Sequence, residues 1–296
     1  EPYRAGFAGW MFKKTTKIPL SVEYHNDTFF DREWLNTRPM IHRIYIPIGK
    51  KVMRIADSIR CVNRKNKSNL DKIYNANRNK VIENIPVPTQ FFSKEEHLKD
   101  AIIIRSSILK SNDGIIILFV GRLVPDKRVQ NLINVFAELH KCYKNIYLNI
   151  VGDGIEKRRL MELAYKVGNE RIIFEGYVSE DRVLSYFGAC DIFVNPSVKE
   201  TYGKVFIEAM SAGKPVICTT NTGAVEDGLC ANGVNSIVIK PDNLDELKAA
   251  LVKLIESAFL RKQLGEQGLL YAKQKFAYEK SLQDMKDFWG KTVYAV

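Results

Sequence analysis

In residues 199–217, K-E-T-Y-G-K-V-F-I-E-A-M-S-A-G-K-P-V-I, two carboxylates bracket the start of a helix. Glu200 falls in a loop after a strand, Gly203 and Lys204 open the helix, and Glu208 rides on it. The first backbone amides of a helix lack intrahelical partners and carry the positive end of its dipole, so they suit an anionic diphosphate. Glu208 lies about five residues into the helix, roughly 7–8 Å along it at a rise of about 1.5 Å per residue. That matches the reach across a diphosphate between two sugars, and a carboxylate at each end can accept hydrogen bonds from sugar hydroxyls. Two glutamates eight apart are ordinary on a helix surface. The signal is the whole string of Glu, Gly, Glu-Ala-Met, Gly and Pro-Val-Ile entering the next strand. A second set, F-V-G-R-L-V-P-D-K at residues 119–127, puts Arg122 and Lys127 after a glycine at a strand end. Arg offers a planar fork to phosphate oxygens and Lys a compact point charge. Each charge-assisted bond contributes about 1.5–3 kcal/mol.

These side chains need elements that bring loop ends together. From residue 113 onward, apolar runs alternate with segments of helical spacing. The runs predict strands over 115–120, 146–151, 172–175, 191–195, 215–219 and 236–239. The spacing predicts helices over 129–139, 156–167, 179–188 (with Ser179 as N-cap), 203–212 and 244–257. Such alternation demands crossovers and a parallel sheet covered on both faces. Ligands of such sheets bind beyond the carboxyl ends of the strands, here the loops after Val120, Val151, Glu175 and Asn195.

The first 110 residues read as the remnant of another α/β unit. A helix is expected over 3–13, a strand over 18–24 entering the polar His25-Asn26-Asp27, and short strands over 59–62 and 80–85. Between them a basic amphipathic stretch over 41–58 is interrupted by Pro47. Three such strands form an open fragment with an exposed edge that is not expected to stand alone. Helices over 260–276 and 281–288 close the chain. The organisation expected is a partial domain over 1–110, a second domain over 111–275, and a C-terminal helix over 276–296 packing back on the first.

Composition narrows the class. With 46% apolar residues and 10% aromatics among 296, the chain can bury ordinary cores and is not of the disordered class. No apolar run approaches the roughly 20 residues that span a bilayer. Five cysteines, Cys61, Cys142, Cys190, Cys218 and Cys230, are scattered without a C-x-x-C pair, which fits reduced thiols and a cytoplasmic protein. Residues 1–110 hold 21 of the 45 Lys and Arg and 11 of the 34 Asp and Glu, so +10 of the +11 net charge sits there. Such asymmetry points to an anionic partner for the first third, a lipid surface, a lipid-linked phosphate or nucleic acid.

In order along the chain come G-R-L-x-x-x-K, V-G-D-G at 151–154, F-E-G-Y-V at 174–178, and E-x7-E followed by A-M-x-x-G-x-P-V-I. This order resembles the retaining nucleotide-sugar glycosyltransferases of glycosyltransferase family 4. The resemblance covers the chain and is most specific from 121 to 217. It implies the GT-B fold, two Rossmann-like parallel-sheet domains facing a cleft, the first incomplete here because the family's opening strand and Gly-rich loop have no counterpart. It further implies that Arg122 and Lys127 hold the donor diphosphate at the helix head of Gly203 and Lys204, that Glu200 meets the transferred sugar, and that Glu208 meets the ribose. The backbone at Tyr177 and Val178 would meet the nucleobase. P-L-S-V-E-Y-H-N-D resembles the family strand whose His, here His25, faces the donor sugar. The usual E-G-F-G reads E-T-Y-G, so sugar contacts at Thr201 and Tyr202 differ and donor identity does not transfer.

The implied reaction transfers a glycosyl group with retention, without a cofactor or bound metal, and the chain holds no D-x-D. No residue is an evident nucleophile, so the resemblance favours same-face displacement, the leaving phosphate assisting deprotonation of the acceptor. The implied partners are a nucleotide-sugar donor and a glycan or lipid-linked acceptor; the charge asymmetry and the basic 41–58 stretch add an anionic membrane surface, on whose cytoplasmic face the protein would dock peripherally. Rival readings are separable. A phosphorylase or sugar-nucleotide epimerase would use the same basic loops, and sugar 1-phosphate released by inorganic phosphate would mark the former. For a dinucleotide-dependent oxidoreductase, Lys157 stands where G-x-G-x-x-G needs its third glycine. A nucleic-acid-binding module would use the basic first third, but the aromatic signatures of RNA modules are missing, and nucleic acid is not an expected partner.

Overall fold

The computed structural model describes residues 3–25, 29, 39–61, 63–74, 81–83, 95–109, 113–168, 170–276 and 278–294. They form two compact units, residues 1–86 with 279–296, and residues 87–278.

In the first unit, α1 (Arg4–Thr16), β1 (Ser21–Tyr24), α2 (Pro39–Ile55), β2 (Ser58–Cys61), α3 (Arg64–Tyr74) and β3 (Val81–Glu83) follow in order. The strands are parallel in the order β1-β2-β3. Val22, Tyr24, Ile59 and Cys61 from the strands pack with Val52, Met53 and Leu70 from the helices. Where the sequence suggested an interruption, α2 is one helix with Pro47 inside it. An interior proline removes a backbone bond and costs about 3 kcal/mol. Burial of Val52 and Met53, and of Gly49 against the rings of Tyr3 and Phe29, offsets that cost.

The second unit begins with α4 (Glu95–Ile108). It continues through β4 (Ile115–Val120), a 3-10 turn (Pro125–Lys127), α5 (Val129–Leu139), β5 (Ile146–Val151), α6 (Lys157–Lys166), β6 (Ile172–Gly176) and α7 (Glu180–Ala189). Then come β7 (Ile192–Asn195), α8 (Lys204–Ser211), β8 (Val216–Thr219), α9 (Gly223–Glu226), β9 (Ser236–Ile239), α10 (Leu244–Glu256) and α11 (Ala258–Phe276). The last helix, α12 (Tyr278–Tyr294), falls almost wholly among the residues grouped with the first unit. The units divide at 86–87, not at the 110–111 expected from sequence. The reason is α4: it buries Ala101, Ile104 and Ile108 in the second core, and Arg105 bonds Gly114 O at 2.8 Å, Ala189 O at 2.9 Å and Asp191 at 2.8 Å.

All six strands of the second sheet are parallel, in the order β6-β5-β4-β7-β8-β9. Side chains alternate across a strand, so Ile116, Leu118 and Val120 of β4 join the core under α4, α7 and α8. Ile117 and Phe119 join the opposite core under α5 and α10. Strand order reverses between β4 and β7, which opens the two following loops side by side at the sheet's carboxyl edge. Ser179 occupies the N-cap position of α7, but its hydroxyl makes no cap bond. The last turn of α8 ends at Gly213 (φ +66°), and α11 crosses so closely that a Cβ on Gly265 would overlap the Gly213 carbonyl. Lys214, next in the chain, donates to Gly188 O and Cys190 O at 2.9 and 2.8 Å, closing the end of α7. No helix among the described residues is long and apolar enough to cross a membrane.

Candidate functional site

The loop after β7 joins the loop after β4 directly, because Val198 N donates to Asp126 O at 2.9 Å. This places Lys127, at the end of the 3-10 turn, against Glu200, and the Lys127 ammonium donates to Glu200 Oε2. The two side chains are only 13% and 20% exposed, so the pair is partly withdrawn from water. Glu200 is held from the other side by α9: Gly223 N donates to Glu200 O at 2.7 Å, and Glu200 forms a bridge with Thr222. Under this loop lies a polar network with little water access. Ser197 N donates to Asn195 Oδ1 at 3.2 Å, Thr219 Oγ1 to Ser197 O, and Thr222 Oγ1 to Thr219 O at 3.0 Å.

Gly203 stands at the N-cap of α8 with φ +78°, the left-handed region that favours glycine, and no side chain caps the helix. A Cβ there would also overlap the Phe206 ring. The head of α8 therefore offers its amides and dipole to an anion. Glu208, one turn further, is 9% exposed, and Lys204 Nζ lies 3.4 Å from it. Burial pushes the Glu208 carboxyl above its usual range, against the opposing pull of Lys204. Two carboxylates, one cation between the loops and an uncapped helix head thus line one edge of the sheet, chemistry suited to a polyhydroxylated diphosphate.

Arg122 is exposed just beyond β4. Its loop is laced to the V-G-D-G segment, Gly121 N to Val151 O at 3.0 Å and Leu123 N to Asp153 O at 2.9 Å. A Cβ on Gly152 would overlap the Gly121 carbonyl oxygen, and one on Gly154 the Leu123 carbonyl. These glycines admit a neighbouring backbone, a need distinct from that of a dinucleotide-binding turn. Gly176 (φ +75°) turns the chain after β6, leaving Tyr177 80% exposed and Val178 half-buried. His25 belongs to the first unit, where Nε2 lies 2.9 Å from Glu23, which in turn accepts from Arg60 at 2.9 Å.

The structure thus brings Lys127 to Glu200, and Lys204 to Glu208. Sequence reasoning missed Glu180, which lies 3.1 Å from Lys204, and the Asn195–Ser197–Thr219–Thr222 network. Asn195-Pro-Ser at a strand end was a usable signal for the network; nothing local marked Glu180. Among the described residues, no three His, Cys, Asp or Glu side chains gather as metal ligands do.

The family model described as "Glycosyl transferases group 1" matches residues 100–270. The chain is 33% identical over 186 residues to an uncharacterized glycosyltransferase of Methanocaldococcus jannaschii, covering 62% of this chain and 47% of that one. It is 29% identical over 185 residues to the alpha-monoglucosyldiacylglycerol synthase of Acholeplasma laidlawii, covering 61% and 44%. The chain spans about half the length of these relatives. Among solved structures, Anabaena HepE in complex with UDP and glucose superposes with a TM-score of 0.79 at 20% identity, covering 97% of this chain and 75% of that one. That likeness shows the fold, Rossmann-like parallel sheets of GT-B type.

Proposed function

The chain belongs to the glycosyl transferases group 1 family, and from that premise we propose that it transfers a sugar from a nucleotide-sugar donor to a lipid-linked or polysaccharide-precursor acceptor, with retention at the anomeric carbon. The observation that carries this reading is the edge formed by Lys127, Glu200, the uncapped head of α8 and the buried Glu208. In it, Arg122, Lys127 and the amides at Gly203 and Lys204 hold the diphosphate. Glu200 meets the sugar, Glu208 the ribose hydroxyls, and the backbone at Tyr177 and Val178 the nucleobase.

As the anomeric carbon–phosphate oxygen bond breaks, negative charge grows on the leaving diphosphate, where preorganised cations and amides stabilise it. This is the task a divalent ion would otherwise perform, so the reaction is proposed to run without metal. The acceptor oxygen bonds to the same face of the anomeric carbon and its proton passes to the departing phosphate. A thermal-shift screen with UDP, GDP, ADP and their sugars tests the reading, since a ligand at about 100 times its dissociation constant stabilises by about 2.7 kcal/mol. No shift with any of them, the protein being folded, refutes it.

A surface of the first unit supports a membrane-presented acceptor, as the name of the Acholeplasma relative suggests. In the basic amphipathic stretch over 41–58, Arg43, Lys50, Lys51 and Arg54 accompany Ile44, Ile46, Val52, Met53 and Ile55, which by sequence alone reads as one interfacial stripe. Val52 and Met53 are core instead, since they face the sheet. The exposed apolar residues are Met40, Ile41 and Ile44 of α2 with Phe7, Met11 and Phe12 of α1. Lys14 and Lys51 stand over the Trp10 ring at 4.8 and 4.7 Å. We read this basic, aromatic surface as one that docks peripherally on anionic lipid at the cytoplasmic face; vesicle co-sedimentation is its test.

A further inference from the structure

At the head of α8 one cation serves two carboxylates. Lys204 Nζ lies 3.4 Å from Glu208 Oε1 on its own helix and 3.1 Å from Glu180 Oε2 at the start of α7. The partners are unequal. The Glu208 side chain is 11% exposed and that of Glu180 is 90% exposed. An ion pair reaching into water is screened and contributes little, whereas a cation beside a buried carboxylate decides that group's charge. Burial raises the Glu208 pKa, Lys204 opposes the rise, and Glu180 adds to it; these are the charged groups acting on Glu208. Burial also works against the Lys204 ammonium, but the two carboxylates outweigh it and its pKa rises.

We propose that the Lys204 side chain is a positioning residue for nucleotide binding: its ammonium keeps Glu208 an ionised acceptor for the ribose hydroxyls, and Glu180 competes for that ammonium. This rests on the reading of Glu208 as the ribose-binding carboxylate. A protonated Glu208 turns one oxygen into a donor and gives up acceptor capacity. Two substitutions then act with opposite sign. Lys204→Met removes the opposing cation, so Glu208 protonates at higher pH and nucleotide affinity falls off sooner on acidification. Glu180→Gln removes a repelling charge and frees the ammonium, so affinity persists to lower pH. A merely structural Lys204 has no reason to produce opposite signs.

The experiment is titration calorimetry of the full chain with UDP, GDP and ADP at a series of pH values from mildly acidic to mildly alkaline. The ligand's own phosphate ionisation is common to all variants and cancels in the comparison. With the ligand that binds best, K204M is expected roughly tenfold weaker than the parent at the acid end and nearer to it at the alkaline end. E180Q is expected equal or tighter at the acid end, K204R close to the parent, and E208Q weak with no added pH dependence. Loss by one constant factor at every pH in K204M, no loss at all, or weakening by E180Q in parallel with K204M overturns the proposal. Parent-like affinity in E208Q overturns the ribose assignment and the proposal with it.

Discussion

Glu200→Gln separates binding of the nucleotide from turnover, with a sign that simple loss of a contact would not give. Lys127 is bonded to Glu200, both side chains a fifth exposed or less. A diphosphate must draw that ammonium away or share it. Exposed pairs contribute about 0–1 kcal/mol, and breaking a fully buried pair costs about 3–5 kcal/mol; burial here puts the pair near the bottom of that gap, about 1–2 kcal/mol. Glutamine keeps the shape and an acceptor oxygen while removing the charge, so most of this is released for the ligand. UDP, which carries no sugar for Glu200 to touch, is expected to bind E200Q about fivefold more tightly, the equivalent of about 1 kcal/mol. Release of nucleoside diphosphate from the sugar donor should fall about 100-fold or more, as when one preorganised electrostatic partner is removed. Calorimetry with UDP gives the first number and steady-state release the second. A cycle adding Lys127→Met isolates the coupling. Weaker UDP binding in E200Q, or zero coupling in the cycle, refutes the argument.

Gly152→Ala should lower stability by about 1–3 kcal/mol through overpacking against the Gly121 carbonyl, a drop in Tm of about 2–4 °C per kcal/mol at this chain size; an unchanged melting curve counts against the packing account. For the membrane surface, binding should require anionic vesicles and fade with salt as charges are screened beyond about 8 Å at physiological ionic strength. Replacing Phe12 and Ile44 by serine should weaken it further. Equal binding to neutral vesicles, or none to either, favours an acceptor free in solution.

What could be read from the sequence follows from how local each signal was. β4, β5 and α5 are found at the expected residues because uninterrupted apolar runs and a one-sided helical stripe leave no competing period. The helix at α4 escaped notice because it is apolar on opposite faces, Leu98, Ile102 and Ile103 outside and Ala101, Ile104 and Ile108 inside, which erases the amphipathic contrast. Pro47 misled because side chains anchored beyond it outweigh one lost backbone bond. At the site, Lys127 and Glu200 could each be found from the motif around them. Their contact across 73 residues could not, since it exists only because β4 and β7 are neighbours. Glu180 carried no signal; it joins Lys204 only when α7 and α8 lie side by side.

The backbone contact of Gly265 with Gly213 fixes the mount on which the site is built. With no side chain between them to repack, the last turn of α8 cannot slide or roll, and Lys214 ties the same corner to the end of α7. A ligand reaching the far end of α8 therefore meets donors that are already aimed, and little conformational entropy is lost in ordering them. The tolerance for change is correspondingly lopsided. Thr201 and Tyr202, ahead of the helix, lie outside that backbone contact. A single methyl group at residue 265, far along the chain from any ligand, would shift the whole helix and every contact it makes.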